Sequence, residues 1–246
     1  IISVLIRLIK IDTLTTFGGE QAYDLENVRS ILEGHLKFLG PKHGPYNNIC
    51  EVHLGPFYYY LLAPFLFLFN KDPIGSAYAV VFARVVTVFL IYLIAQKLFS
   101  KPVALYSSLI AAISPYWINS LGPPATPYFI LPILGALAHI LITIKKKNLF
   151  NFVSIGLLIG FLLQLHYLSL ITIPSVLIFF FFNKKLSSIK NISLIILGFI
   201  ISMLPVIAFE LKNNFFITTS FLKQIFNANN AGGFTQLFSK ASKVLE

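Results

Sequence analysis

Apolar and polar positions fall along this chain in long blocks, not in single-residue alternation. Apolar runs occupy residues 54–69, 75–96, 102–118, 127–144, 149–165, 169–182 and 192–209, with short polar connections between them. Several reach or approach the ~17–25 residues that a membrane-spanning helix needs. The pattern predicts an all-α fold, a polytopic transmembrane helix bundle. Residues 1–9 are apolar apart from Ser3 and Arg7. At about 1.5 Å per residue they reach roughly 13 Å, less than half of a ~30 Å hydrocarbon core. They read as the end of a truncated first transmembrane helix. Residues 231–246 stop without a closing span, so the sequence reads as an N-terminal fragment.

Composition agrees with the blocks. Hydrophobic residues make up 57% of the 246 positions and charged residues 11%, against roughly 25% charged in soluble domains. A water-soluble globule is excluded. The net charge of +10 is explained by lysines retained on the cytoplasmic side, so no nucleic-acid partner is expected. Cys50 stands alone, which excludes an intramolecular disulfide framework.

The basic clusters set the expected orientation. Lys145-Lys146-Lys147 and Lys184-Lys185 with Lys190 are placed in the cytoplasm. Residues 149–182 then form an out-and-back hairpin with an external tip at 164–169, and Lys97 and Lys101 fall inside. Run 54–69 has only 16 residues, carries Pro56 and Pro64, and contains Tyr58-Tyr59-Tyr60. It reads as an interfacial or re-entrant helix, with an ordinary short span as the competing reading. The expected organisation is a helix end at 1–9, an external loop at 10–71, a transmembrane bundle at 72–210 and an external segment at 211–246. The expected location is the plasma (inner) membrane, multi-pass, with any active site on the external or periplasmic face.

Six of the nine acids precede Leu54, and none lies between Pro73 and Phe209. Glu20 and Asp24 are four apart in a stretch where Ala22, Leu25, Val28, Ile31 and Leu32 follow helical periodicity. The spacing predicts a helix that starts after Gly18-Gly19, stops at Gly34 and carries both carboxylates on one face. Such a pair suits two roles: one acid accepts the proton of an attacking hydroxyl, and the other orients substrate or a metal. The bland reading is a solvated loop. His35, His43, His53 and Glu51 match no compact zinc motif; no cofactor is expected, and a divalent metal beside the acids is left open but not indicated.

Here the sequence resembles a family. FGGEQAYDLENVRSILEGHLKFLGP followed by HLGPFYYYLLAP is similar to the first external loop of GT-C class membrane glycosyltransferases, the relatives of protein O-mannosyltransferases and aminoarabinose transferases. The resemblance continues through Phe82-Ala83-Arg84, Ile113-Ser114-Pro115, Gln164-Leu165-His166 and Phe209-Glu210-Leu211-Lys212. It implies a polyprenyl-phosphate sugar donor drawn from the membrane and a lipid, glycan or protein acceptor on the external side. It also implies a catalytic base in the first external loop, which falls on Glu20, with Asp24 as the alternative. Three positions depart from the family pattern. Glu20 stands where Asp is usual, Tyr23 where Arg is common, and the loop 119–126 carries no acid.

Other candidates surround the expected donor site. Arg84, about nine residues into its span, is costly in a membrane unless paired; it suits the lipid phosphate, or it snorkels outward. His53 and His166 stand at the membrane surface as substrate contacts or as polar end-caps. Asn119 is the polar candidate in the second external loop. Glu210 and Lys212 follow a helix exit, where a cation holds a phosphate or merely flanks the helix. The alternative function is a transporter or lipid flippase. That class places charged or broken helices at the midplane, whereas here the acids gather in one external loop.

Overall fold

A computed structural model describes residues 2–9, 11–43, 52–115, 124–145, 148–220 and 222. The elements, in order, are α1 (Ile2–Leu8), α2 (Ile11–Leu14), α3 (Gly19–Leu32), β1 (Lys42–His43), β2 (Val52–His53), α4 (Phe57–Leu68), α5 (Ile74–Leu98), α6 (Lys101–Ile113), α7 (Ile130–Thr143), α8 (Leu149–Leu165), α9 (Thr172–Phe182) and α10 (Ile189–Lys212). Short 3-10 turns lead into α7 and α9 and follow α9. The architecture is the expected helical bundle. The one exception among the described residues is the two-residue antiparallel pair β1–β2, which hydrophobic periodicity does not announce.

Among the described residues, three helical stretches are long and apolar enough to cross a bilayer: Ile74–Leu98, Thr126–Thr143 and Ile189–Lys212. Shorter apolar helices pack among them. Their outward faces carry Phe89, Tyr106, Ile110, Phe181 and Ile189, all exposed. Water would oppose so much apolar surface, but lipid tails accept it.

The acid-bearing helix forms where its pattern predicts. The Gly18 N–H donates to Gln21 Oε1 at 3.0 Å at its start. Gly34, at φ +95°, ends it, and the His35 N–H donates back to the Ser30 carbonyl at 3.0 Å. The left-handed conformation there is one that glycine adopts without a Cβ clash. Leu25 and Val28 are buried against α4, together with Asp24. Ala22, expected on the apolar face, is exposed. Arg29 fastens the other end of the loop, donating from Nε and Nη2 to the Lys71 carbonyl at 3.2 and 3.1 Å.

The 12 residues of α4 reach about 18 Å, short of a ~30 Å core. At its start Phe57 stacks on Phe161, near the end of α8, with ring centroids 3.9 Å apart. At its end a turn through Asn70 and Lys71, both at positive φ, leads straight into α5. Thus α4 begins beside the end of α8 and ends beside the start of α5, where Phe69 stacks on Tyr78, and it buries Tyr58, Tyr59, Leu62 and Leu66 against Ala79, Val80, Ala83, Phe129 and Leu165.

The tightest helix pair is α8 with α10. A Cβ added to Gly156 would lie 1.9 Å from the Ile195 carbonyl oxygen, and one at Gly198 would lie 2.1 Å from the Val153 oxygen. In lipid, such close backbone approach supplies association through dispersion contacts. Replacing Gly156 with Val is expected to force the pair apart and to cost about 1–3 kcal/mol, the range for overpacking. A lowered unfolding midpoint in detergent checks this, and an unchanged midpoint refutes the packing account.

Candidate active site

The site is built where the α3 loop returns to the bundle. The Gly40 N–H donates to the Leu54 carbonyl at 2.9 Å, and the Leu54 N–H donates to the Pro41 carbonyl at 2.9 Å. These bonds flank the β1–β2 ladder, in which Lys42 pairs with His53 and His43 with Val52. His53 Nδ1 donates to the Gly40 carbonyl at 3.2 Å, which fixes the ring and leaves Nε2 as its second polar atom.

The tip of α8 holds this ladder from the other side. The Tyr167 hydroxyl donates to the His53 carbonyl. Gln164, buried inside the bundle, accepts from the Phe57 N–H at 3.2 Å and donates to the Ser202 carbonyl at 2.7 Å. One amide side chain thus ties α4, α8 and α10 at the base of the site. A buried amide left unpaired is costly, so Gln164 carries its own structural reason.

Two chambers meet at His53. The first, of about 450 Å³, is polar and is lined by Glu20, Tyr23, Asp24, Lys42 and His53. The second, of about 460 Å³, is largely apolar and is lined by Leu163, Met203, Val206 and Ile207, with Gln164, Tyr167, Glu210 and His53 among its polar groups. A polar chamber beside an apolar one suits a molecule that is polar at one end and greasy at the other.

The two carboxylates of the polar chamber differ in environment. Asp24 is 8% exposed and accepts a hydrogen bond from the Tyr59 hydroxyl at 3.0 Å. Burial pushes its pKa up to about 6, Tyr59 opposes that rise, and the neighbouring charge of Glu20 adds to it. Glu20, one turn earlier on the same face, is exposed.

The remaining candidates lie elsewhere. Arg84 is buried in the bundle on α5, its guanidinium 4.9 Å from the centre of the Tyr128 ring. His166 accepts from the Leu168 N–H at 3.2 Å as a turn cap, and lines a separate cavity of about 340 Å³ beside Pro127 and Ile130. Glu210 lines the apolar chamber, but both its oxygens are engaged. They accept from the Ile217 N–H at 2.7 Å, the Thr218 N–H at 3.0 Å and the Thr218 hydroxyl, closing the turn after α10. Lys212 is exposed. Asn119 lies outside the described residues.

The geometry therefore joins Glu20, Asp24 and His53 in one chamber and His53 with Glu210 in the next, with Arg84 and His166 apart from both. Four residues of the site are not among the candidates that the sequence singles out for chemistry: Lys42, Tyr59, Gln164 and Tyr167, although Tyr59, Gln164 and Tyr167 fall in segments noted above. Gln164 had a usable signal as the amide within an otherwise apolar run. Tyr59 was visible only as one of three tyrosines.

Comparison with known proteins follows this geometry. The family described as dolichyl-phosphate-mannose-protein mannosyltransferase matches residues 53–209. The chain belongs to this family. The matched stretch opens on His53, where the two chambers meet, and closes one residue before Glu210. The acids of α3 precede it. Among solved structures, the crystal structure of ArnT from Cupriavidus metallidurans bound to undecaprenyl phosphate superimposes with a TM-score of 0.66 at 11% sequence identity. The likeness covers 89% of this chain and 42% of that one. The shared fold is that of GT-C transferases, and this mannosyltransferase-family chain spans less than half the length of ArnT. No protein of curated function matches the sequence.

Proposed function

We propose that this member of the mannosyltransferase family is an integral-membrane glycosyltransferase of the GT-C class. It moves a sugar from a polyprenyl-phosphate donor to a hydroxyl acceptor on the external face of the membrane. The observation that carries this reading is the junction of the two chambers at His53, one bearing a carboxylate pair and the other apolar. The solved structure of ArnT, described as bound to undecaprenyl phosphate, supports the donor class. The lysine clusters support the orientation.

In the proposed reaction the acceptor oxygen attacks the anomeric carbon of the sugar. The bond from that carbon to the phosphate oxygen breaks, and its electron pair leaves with polyprenyl phosphate. Glu20 takes the acceptor proton. Asp24, held by Tyr59, orients the acceptor or the sugar hydroxyls. Polyprenyl phosphate is a stable leaving group, so positioning and charge stabilisation carry most of the catalysis. The isoprenoid tail occupies the apolar chamber and the sugar phosphate faces the polar one. Of the expected substrate contacts, His53 and Glu210 line this centre in the proposed reading, whereas Arg84 and His166 lie apart from both chambers.

The protein in liposomes, supplied with radiolabelled polyprenyl-phosphate hexoses and an acceptor extract, is expected to cleave the sugar–phosphate bond and transfer label. If the donor crosses the bilayer intact and no label is transferred, the chain is a flippase and the reading is overturned.

A further inference from the structure

We propose that Lys42, paired across the β1–β2 ladder with His53, is the cation that holds the phosphate group in the polar chamber. This assignment rests on the transferase reading and adds to it a residue outside the recognised motifs.

Lys42 and His53 are directly opposed on antiparallel strands. Directly opposed residues project to the same face of a ladder, with Cβ atoms about 4.5–5.5 Å apart. Both side chains line the polar chamber, as do Glu20 and Asp24 of α3. One basic pair thus shares a chamber with one acidic pair, each fixed by its own secondary structure.

Electrostatics then require a cation in this place. Two carboxylates in one chamber repel an incoming phosphate, and the repulsion grows as the bond to the sugar breaks and charge collects on the leaving group. A positive group facing the same space offsets both effects, and does so more strongly as water is excluded. Among the described residues lining the chamber, Lys42 is the one lysine or arginine. The other cations considered for the phosphate are not in it: Arg84 lies under Tyr128 within the bundle and Lys212 is exposed beyond α10.

The ladder also explains how the lysine is held. The Gly40–Leu54 and Leu54–Pro41 hydrogen bonds close the pair at one end, and the bond from His53 Nδ1 to the Gly40 carbonyl fixes its neighbour. Lys42 is half-buried and lines the chamber, and a lysine so placed can pack its methylene stem on neighbouring groups while keeping its ammonium in a polar space. The phosphate of a polyprenyl lipid that reaches His53 from the apolar chamber enters the chamber that Lys42 also lines.

The test measures binding of three ligands to the protein in nanodiscs: a polyprenyl phosphate, the corresponding polyprenol, and inorganic phosphate as competitor. The wild type is expected to prefer the phosphorylated lipid to the alcohol. Lys42→Met is expected to weaken the phosphorylated lipid at least tenfold, leaving the alcohol unchanged, and Lys42→Arg to restore most of the loss. Competition by inorganic phosphate that Lys42→Met abolishes supports the contact and assigns it to free phosphate. Equal affinity of wild type and Lys42→Met for the phosphorylated lipid overturns the assignment. So does a loss for both lipids accompanied by a lowered melting temperature, because Lys42 is then structural. A wild type that fails to distinguish phosphorylated lipid from alcohol overturns the donor reading itself, so the two failures are separable.

Discussion

Glu20→Gln is expected to lower sugar transfer from a polyprenyl-phosphate donor by ~10²–10⁴-fold, the usual cost of removing a general base. Gln keeps the length and shape of Glu but cannot accept a proton. The side chain is exposed at the start of α3, so the substitution removes no buried contact. Folding in detergent and donor binding are expected to remain near wild type, with the loss confined to turnover. The measurement is single-turnover transfer beside a thermal unfolding curve for each protein. Near-normal turnover in Glu20→Gln passes the base role to Asp24, which shares the chamber and whose pKa burial raises to about 6. Retained transfer in both single variants removes the carboxylate pair from the mechanism.

The second large effect is a pH dependence of stability. Burial raises the Asp24 carboxyl to about 6 in the folded protein, from an ordinary value of 3.8. Between those values the folded state holds a proton that the unfolded state has released. Stability from this group is therefore fully present below about pH 4 and is lost as pH rises through about 6. The difference amounts to about 3 kcal/mol, at 1.36 kcal/mol for each factor of ten in proton affinity. Asp24→Asn keeps an oxygen that accepts from Tyr59 and carries no charge at any pH. The variant is expected to match the wild type near pH 4 and to exceed its unfolding free energy above pH 6. Carboxylates elsewhere pull the other way; Glu33, beside Lys71, is held below its usual range. The informative quantity is consequently the difference between variant and wild type at the two pH values. A constant difference across this range would show that Asp24 does not titrate there.

Much of the architecture follows from the sequence because it depends on local patterns. A 17-residue apolar run at 149–165 becomes α8 over those same residues, since in lipid a helix satisfies every backbone group within its own segment. The stop at Gly34 and the shared face of Glu20 and Asp24 follow from capping and from 3.6 residues per turn. The family is legible as well, through ordered motifs that survive where overall identity to a solved relative is only 11%.

Tertiary packing decided the rest. Glu20 and Asp24 are equivalent by spacing, yet only Asp24 lies beneath α4, where Tyr59 meets it. Burial depends on which neighbour covers a face, and a single helix carries no record of that. Arg84, about nine residues into its span, and Glu210, at a helix exit, are both candidates for the donor site by sequence. The fold sets one against an aromatic ring inside the bundle and gives both oxygens of the other to a turn. Lys42 and His53 lie eleven positions apart in sequence, and no periodicity links them. Their alignment is a matter of strand register, held by backbone hydrogen bonds between Gly40, Pro41 and Leu54 and secured by Gln164 and Tyr167 from α8 and the turn beyond it. Helical segments and the face each presents are set by neighbours three or four residues away, which the sequence displays. The chamber is set by contacts across the chain, from Lys42 with His53 to His53 with Tyr167, 114 positions away, and those exist only once the chain has folded.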